Sequence, residues 1–299
     1  MYNRQLDVFI AVADCGSFNK AADALFVSPT AVMKQMNNLE DSIGVRLIRR
    51  TPQGISLTSA GEQFYNDAKY IIKYSANAIS KIRQLANKGK YIIRVGTSVL
   101  NPCKILMDLW GSAGDIYSKF KINIVPFDDD HNNILTVISN IGKKFDLIVG
   151  ACDSPQWLSR CNFLRLGEYR LCIAVHKNHP LSSKHMLELE DLYGEKLFMV
   201  KRGISTSLDK LHSELENKHP QIQIETTSFY DMEAFNLCDE EEGLMFTLDA
   251  WADVHPSFVT IPVNLNQSIL YGILYPLNPS DDIVEFLDSI KKVIRGRKE

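Results

Sequence analysis

Thr30, Met33, Lys34 and Asn37 recur at three- and four-residue intervals, so a helix would carry all four on one face. Their chemistry suits the edge of a base pair. A hydroxyl and an amide can hydrogen-bond there, a thioether can pack on a thymine methyl, and an ammonium can reach a guanine edge or a phosphate. Ser28 and Pro29, just ahead of them, supply an N-cap and a proline at the first helical position, where its missing N–H costs nothing. A solvated helix face is the bland alternative for the same pattern.

Catalytic chemistry is poorly furnished by comparison. GTSVL, residues 96–100, offers G-x-S but ends in Leu100, so it is no nucleophile elbow. There is no GxxxxGK[ST], no HExxH and no GxGxxG. His176, His179 and His185 fall in one strand and the loop after it, where solvated or structural roles outweigh metal binding. Asp128, Asp129, Asp130 and His131 precede a helix pattern, and a helix N-terminus favours acidic residues without any metal. The six cysteines (Cys15, Cys103, Cys152, Cys161, Cys172 and Cys238) contain no C-x-x-C pair and read as buried, reduced thiols. The expectation is therefore a protein that is not an enzyme and needs neither metal nor cofactor.

The elements that would position the reading face are legible on both sides of it. Leu6, Phe9, Ile10 and Ala13 recur at helical spacing, ending near Cys15 and Gly16. Ser17 is a natural N-cap for FNKAADAL, with Phe18, Ala21, Ala22 and Leu25 inward. Phe26 and Val27 make a tight connection to the next helix, in which Ala31, Val32, Met36 and Leu39 face inward and Ile43 covers the end near Gly44. Two helices joined by so short a turn form a helix-turn-helix. Strand-like runs from Arg46 to Arg50 and from Ile55 to Thr58 flank a Thr51-Pro52-Gln53-Gly54 turn and predict a hairpin, the wing, with Arg49 and Arg50 at its base.

Charge is distributed in keeping with this. Residues 1–90 carry 12 Lys/Arg against 7 Asp/Glu, a net of +5, and residues 91–299 carry 21 against 29, a net of −8. Such polarisation fits a module facing a polyanion joined to a larger one facing something else. With 299 residues, 45% of them apolar, the chain can fill two or three compact units. The opening MYNRQLDVFIAVAD lacks a cleavage site and no apolar run could span a bilayer, so a cytoplasmic location is expected.

The run GSFNKAADALFVSPTAVMKQMNNLEDSIGVRLIRRTPQGISLTSAGE resembles the DNA-binding domain of LysR-type transcriptional regulators. Members of that family share G-S-F-x-x-A-A-x-x-L, V-S-x-x-A, L-E-x-x-L/I-G-V-x-L-F and L-T-x-A-G in that order. The resemblance implies contacts to double-stranded DNA from Ser28, Pro29, Thr30, Met33, Lys34 and Asn37, with Arg49, Arg50 and Gln53 on the wing. Many members have Gln-Pro where this chain has Pro29-Thr30, Ser where it has Met33, Arg where it has Lys34, and a basic residue where it has Gln53. Lys34 lacks the rigid bidentate fork of arginine, so a different DNA target is expected.

From Ser59 the chain runs to Gly89 without proline. Phe64, Ala68, Ile71, Ser75, Ala78, Ile82 and Leu85 follow coiled-coil spacing, predicting a linker helix of roughly 40 Å that pairs with a second copy. The resemblance implies the same linker-helix dimer, paired again into a tetramer, and RNA polymerase as a candidate partner.

After Gly89, YIIRVGTS, KINIVPF and FDLIVGA alternate with helix patterns over about 101–110 and 131–141, the rhythm of an α/β domain. LCIAVHKNHPL, KLFMVKRGI, GLMFTLDAW and SFVTIPVN read as further strands, and LDKLHSELEN and MEAFNLCDEEE as helices. The layout resembles the family's effector-binding region, which is similar to periplasmic binding proteins. Thr97, Ser98, Asp128, Arg202, Ser205 and Asp231 stand near strand ends where a small-molecule effector would meet hydroxyls and backbone N–H groups, although each of the hydroxyls and aspartates could equally cap a helix. Peroxide-sensing members use a close pair of cysteines in the second lobe, and VKRGISTSLDKL has none.

The expected architecture is thus an α+β multidomain chain. A winged helix-turn-helix occupies residues 1–58, a linker helix 59–89, and a two-lobed, periplasmic-binding-protein-like effector domain 90–299. Lobe I would comprise about 90–162 and 259–299, and lobe II about 163–258. The expected function is effector-modulated transcription regulation; an α/β enzyme and an effector-independent architectural DNA binder are the alternatives.

Overall fold

The computed structural model describes residues 3–51, 54–87, 89–112, 118–129, 134–252 and 254–296, with the side chains of 134–136 excepted. It divides into two compact units, one of Met1–Ile93, Ala113–Ile122 and Leu277–Glu299, the other of Arg94–Ser112 and Asn123–Pro276.

The first unit opens with three helices, α1 (Gln5–Cys15), α2 (Phe18–Leu25) and α3 (Pro29–Ile43), followed by the hairpin β1 (Ile48–Thr51) and β2 (Gly54–Leu57). Leu6, Phe9, Val12, Ala21, Ala22, Val32, Met36 and Leu39 make one core, with Phe18 and Leu25 half-buried against it. The alanines let α1 and α2 approach closely, since no larger side chain stands between them. Phe26 takes a left-handed conformation (φ 55°), which keeps the connection from α2 to α3 short. Two expectations need correction. Ser17 occupies the N-cap position of α2 without a side-chain cap bond, and Ile43 is 40% exposed rather than covering the helix end.

The linker helix α4 (Ser59–Ala86) starts at a Thr58 cap, whose Oγ1 accepts the Gly61 N–H at 3.0 Å and donates to the Arg46 carbonyl at 2.8 Å. A Cβ on Gly61 would lie 1.9 Å from the Leu47 carbonyl oxygen, so only glycine lets this turn meet the wing. The same unit holds α10 (Asp281–Gly296), tied to α4 where Asn77 Nδ2 donates to Asp281 Oδ2 at 2.8 Å and Lys73 pairs with Asp281 at 3.0 Å. Leu277–Glu299 thus groups with the linker helix, although the sequence placed it at the close of lobe I.

The α/β region runs β3 (Tyr91–Thr97), α5 (Lys104–Gly111), β4 (Phe120–Pro126), α6 (Ile134–Ser139), β5 (Leu147–Ala151), α7 (Pro155–Leu158), β6 (Cys161–His176), β7 (Lys196–Val200), α8 (Thr206–Lys218), β8 (Gln223–Thr227), α9 (Met232–Glu240), β9 (Leu244–Leu248), β10 (Phe258–Pro262) and β11 (Ser268–Pro276). The strands form one sheet ordered β4-β3-β5-β11-β6-β9-β7-β8, with β10 on β6. β5 pairs parallel with β3, and β7 parallel with β8 and β9; β5 and β9 are buried along nearly their whole length, as interior strands covered on both faces must be. β6 begins ten residues before the strand expected at LCIAVHKNHPL and has two sets of partners. Cys161–Arg170 pairs with β11, and Leu171–His176 with β9 and β10.

Candidate functional site

The N-terminus of α3 is built as a presenting surface. Ser28 Oγ accepts the Ala31 N–H at 3.2 Å and lies 3.1 Å from Thr30 Oγ1, with Pro29 at the first helical position. Ser28, Pro29, Thr30, Lys34 and Asn37 are exposed and Met33 is half-buried, while Val32, Met36 and Leu39 are buried behind them. The spacing thus divides the helix into a buried stripe that anchors it and an opposite, exposed stripe.

On the wing, Arg49 and Arg50 are both exposed but serve different faces of β1, as successive strand residues must. Arg49 Nε donates to Ser56 Oγ on β2 at 2.9 Å, and the Arg50 guanidinium lies 5.0 Å from the centroid of the Phe18 ring on α2. Gln53, at the turn, lies outside the described residues.

Sequence reasoning missed the residue that ties helix to wing. Glu40 is 4% exposed, and its carboxylate accepts the N–H groups of Leu47 at 2.7 Å and Ile48 at 3.1 Å and pairs with Arg46 at 2.7 Å. Burial would raise its pKa, but the bonds from Arg46, Ile48 and Leu47 outweigh it and hold the carboxyl below its ordinary value. An acidic residue beside Met36 and Leu39 on the inward stripe was the available signal.

The residues expected to form a seam on the linker helix do not share one environment. Phe64 packs on Phe9 with ring centroids 5.3 Å apart, and Ala68 is fully buried, so both belong to the winged-helix core. Ser75 is also buried and Ala78 half-buried. Ile71, Ile82 and Leu85 are exposed, at 42%, 60% and 81%, and are joined by Tyr70 and Tyr74, whose exposed rings stack 6.2 Å apart. Ile71, Tyr74, Ala78, Ile82 and Leu85 share one face by helical spacing, with Tyr74 replacing Ser75 in the expected set.

The second unit contains a cavity of about 90 Å³ whose lining includes Trp157, Leu171, Phe229, Phe246, Trp251 and Ile269, with Asn101, Asp153, Ser205 and Thr247 among its polar members. Of the six residues expected at a ligand, it includes only Ser205, which also caps α8 by accepting the Leu208 N–H at 3.2 Å. The others do not line it. Thr97 Oγ1 accepts from Cys103 N, and Ser98 Oγ donates to Asp129 Oδ1 at 2.6 Å. Asp128 is exposed, and its neighbour Asp129 takes the Leu100 N–H at 2.8 Å. Asp231 caps α9 through Ala234 N at 2.8 Å. Arg202 is committed to α8, bonding the Asp209 carbonyl and Ser213 Oγ at 3.0 Å each and Glu216 at 2.6 Å. The helix-cap alternative accounts for Ser205 and Asp231, because strand ends and helix starts coincide in an α/β fold, while Thr97 and Ser98 are engaged in the turn after β3.

Among the described residues, no group of three or more His, Cys, Asp or Glu could hold a metal ion, and no helix is long and apolar enough to cross a membrane.

Residues 3–62 match the model of the bacterial regulatory helix-turn-helix protein, lysR family. This N-terminal segment is a LysR-family helix-turn-helix domain. Relatives include the HTH-type transcriptional regulator BudR of Raoultella terrigena, 30% identical over 63% of this chain and 64% of BudR. PcaQ of Agrobacterium fabrum is 28% identical over 67% of this chain and 63% of PcaQ. The chain thus spans just under two thirds of the length of the curated relatives it matches, and those relatives are transcriptional regulators, not enzymes. Among solved structures, the LysR family regulator CbnR aligns over 98% of this chain and 99% of its own with a TM-score of 0.54 at 19% identity. A full-length OxyR from Pseudomonas aeruginosa aligns over 99% and 95% with a TM-score of 0.50 at 17% identity. These likenesses show a shared fold, an N-terminal helix-turn-helix followed by an α/β region.

Proposed function

We propose that this chain is a sequence-specific transcriptional regulator that binds promoter DNA as a homo-oligomer and is modulated by a small molecule held in the cavity of its second unit. The observation that carries the reading is the exposed stripe of Ser28, Pro29, Thr30, Lys34 and Asn37, backed by a buried stripe on the same helix and flanked by Arg49 and Arg50. Met33 borders the stripe and would pack on a thymine methyl, and Gln53 would meet the DNA from the wing tip. The DNA-binding module is residues 1–58, the linker 59–89 and the effector domain 90–299 with its two lobes.

Two copies pair along α4 through Ile71, Tyr74, Ala78, Ile82 and Leu85, and pairing raises the effective concentration of the second reading helix at a related half-site. A tetramer follows by further pairing, RNA polymerase is the downstream partner, and the protein works in the cytoplasm. The effector biases two arrangements of the regulator by binding one more tightly than the other.

Fluorescence anisotropy of the full-length protein on the DNA flanking its own gene, across salt and with random DNA as competitor, tests this. Salt-sensitive binding that prefers the flanking DNA is expected. Failure to bind any DNA would sink the reading.

A further inference from the structure

We propose that the cavity takes an uncharged, mainly hydrophobic small molecule bearing a compact hydrogen-bonding group, and that Asp153 keeps carboxylates out. This rests on the effector reading above and names the chemical class that reading leaves open.

The cavity's lining contains no Lys, Arg or His, and its charged member is Asp153. Asp153 stands where an anion would otherwise bind. Its Oδ2 accepts the Ser205 hydroxyl and the Ser207 N–H, each at 2.8 Å, at the N-terminus of α8. A helix start with free N–H groups and a serine hydroxyl is a ready anion site. Here the protein's own carboxylate has filled it, and a second anion entering the same low-dielectric space would be repelled.

The remaining polar groups narrow the class further. Trp251 Nε1 is committed to the Leu100 carbonyl at 2.7 Å, and Asn101 Nδ2 to Ser98 Oγ at 3.2 Å and Asp129 Oδ1 at 3.1 Å. Thr247, on β9, is 1% exposed, and its Oγ1 and the hydroxyl of Tyr230, which also lines the cavity, have no hydrogen-bond partner among the described residues. A buried hydroxyl without a partner is costly and is ordinarily satisfied. With the walls otherwise mainly aromatic and aliphatic, a ligand meets these two hydroxyls and largely apolar surface. Given about 90 Å³, against roughly 10–15 Å³ for one water on the same measure, the ligand is about the size of a single ring.

Benzoate, benzamide and benzamidine have nearly the same shape and carry negative, zero and positive charge at neutral pH, so they isolate the charge rule. Each is titrated into the full-length protein while tryptophan fluorescence is followed, since Trp157 and Trp251 line the cavity. Benzamide should bind on the order of a hundredfold more tightly than benzoate. Asp153→Asn should narrow that gap at least tenfold, and Thr247→Val should weaken benzamide while leaving the benzoate response unchanged. Thr247→Val preserves shape, so it serves if Asp153→Asn disturbs the start of α8. Benzoate binding as well as benzamide, benzamidine binding best, or no response to benzamide up to its solubility would each overturn the proposal. If benzamide binds as expected but leaves operator affinity unchanged, the effector reading fails and the charge rule stands.

Discussion

Glu40, in the last turn of α3, accepts the Leu47 backbone N–H at 2.7 Å and so fixes that helix to the segment that leads into the wing. Glu40→Ala would strand the Leu47 and Ile48 N–H groups and should cost about 2–3 kcal/mol in urea unfolding. Because the folded pKa lies below the ordinary 4.5, the contribution is complete above that pH and is lost as pH falls through the folded value. Acid titration monitored by circular dichroism should show a drop in that window for the wild type and a shallower one for Glu40→Gln. A pH profile unchanged by Glu40→Gln would assign the bolt to packing alone.

Lys34 and Arg50 should separate in DNA binding. Lys34 stands on the reading stripe, so Lys34→Ala should weaken specific DNA more than random DNA, by about 1–3 kcal/mol. Arg50 stacks on Phe18 from the wing, so Arg50→Ala should weaken all sequences about equally and reduce the salt slope by about one. Anisotropy titrations at several salt concentrations measure both quantities. Unchanged binding by both variants would move the DNA-facing surface off α3 and the wing.

The contrast between these sites explains what could be read beforehand. The stripe on α3 was legible because 3.6-residue periodicity separates Val32, Met36 and Leu39 from Thr30, Lys34 and Asn37 with no long-range information. Glu40 was not, because its partners on Leu47 and Ile48 exist only once the wing has folded back. The sequence also passed over β8, β11 and α10, although DDIVEFLDSIKKVIRG is strongly amphipathic and encodes α10 plainly. β11 pairs antiparallel with both β5 and β6, a placement that depends on contacts some hundred residues apart. The cavity was the least legible feature of all. Its lining is gathered from many separate segments, and the hydroxyls at strand ends that looked available are spent on local bonds, Ser205 on capping α8 and Thr97 and Ser98 on the turn after β3.

The thiols should be silent in the native state. Burial pushes Cys152 up to about 11 and Cys161, Cys172 and Cys238 up to about 12. At pH 8 their thiolate fractions are about a thousandth or less. Iodoacetamide with mass spectrometry should therefore label half-buried Cys15 first, and those four cysteines only in denaturant. Rapid native labelling of Cys152 or Cys161 would reopen a redox role.

The linker helix offers the sharpest test of oligomer geometry, because its apolar residues divide into two faces. Phe64 and Ala68 are used by the winged-helix core, so Phe64→Ala should lower the stability of that domain by about 2–4 kcal/mol without changing the self-association of the folded protein. Ile82 and Leu85 are exposed along the other face and have no part in that core. Replacing both with glutamate places like charges opposite each other in a paired helix while leaving the monomer's packing intact, so sedimentation velocity should shift toward a monomer with unchanged helical content. Affinity for paired half-sites should fall with it, by a factor of on the order of a hundred, while affinity for an isolated half-site stays put. An oligomer that survives both glutamates would place the pairing surface away from this face of α4.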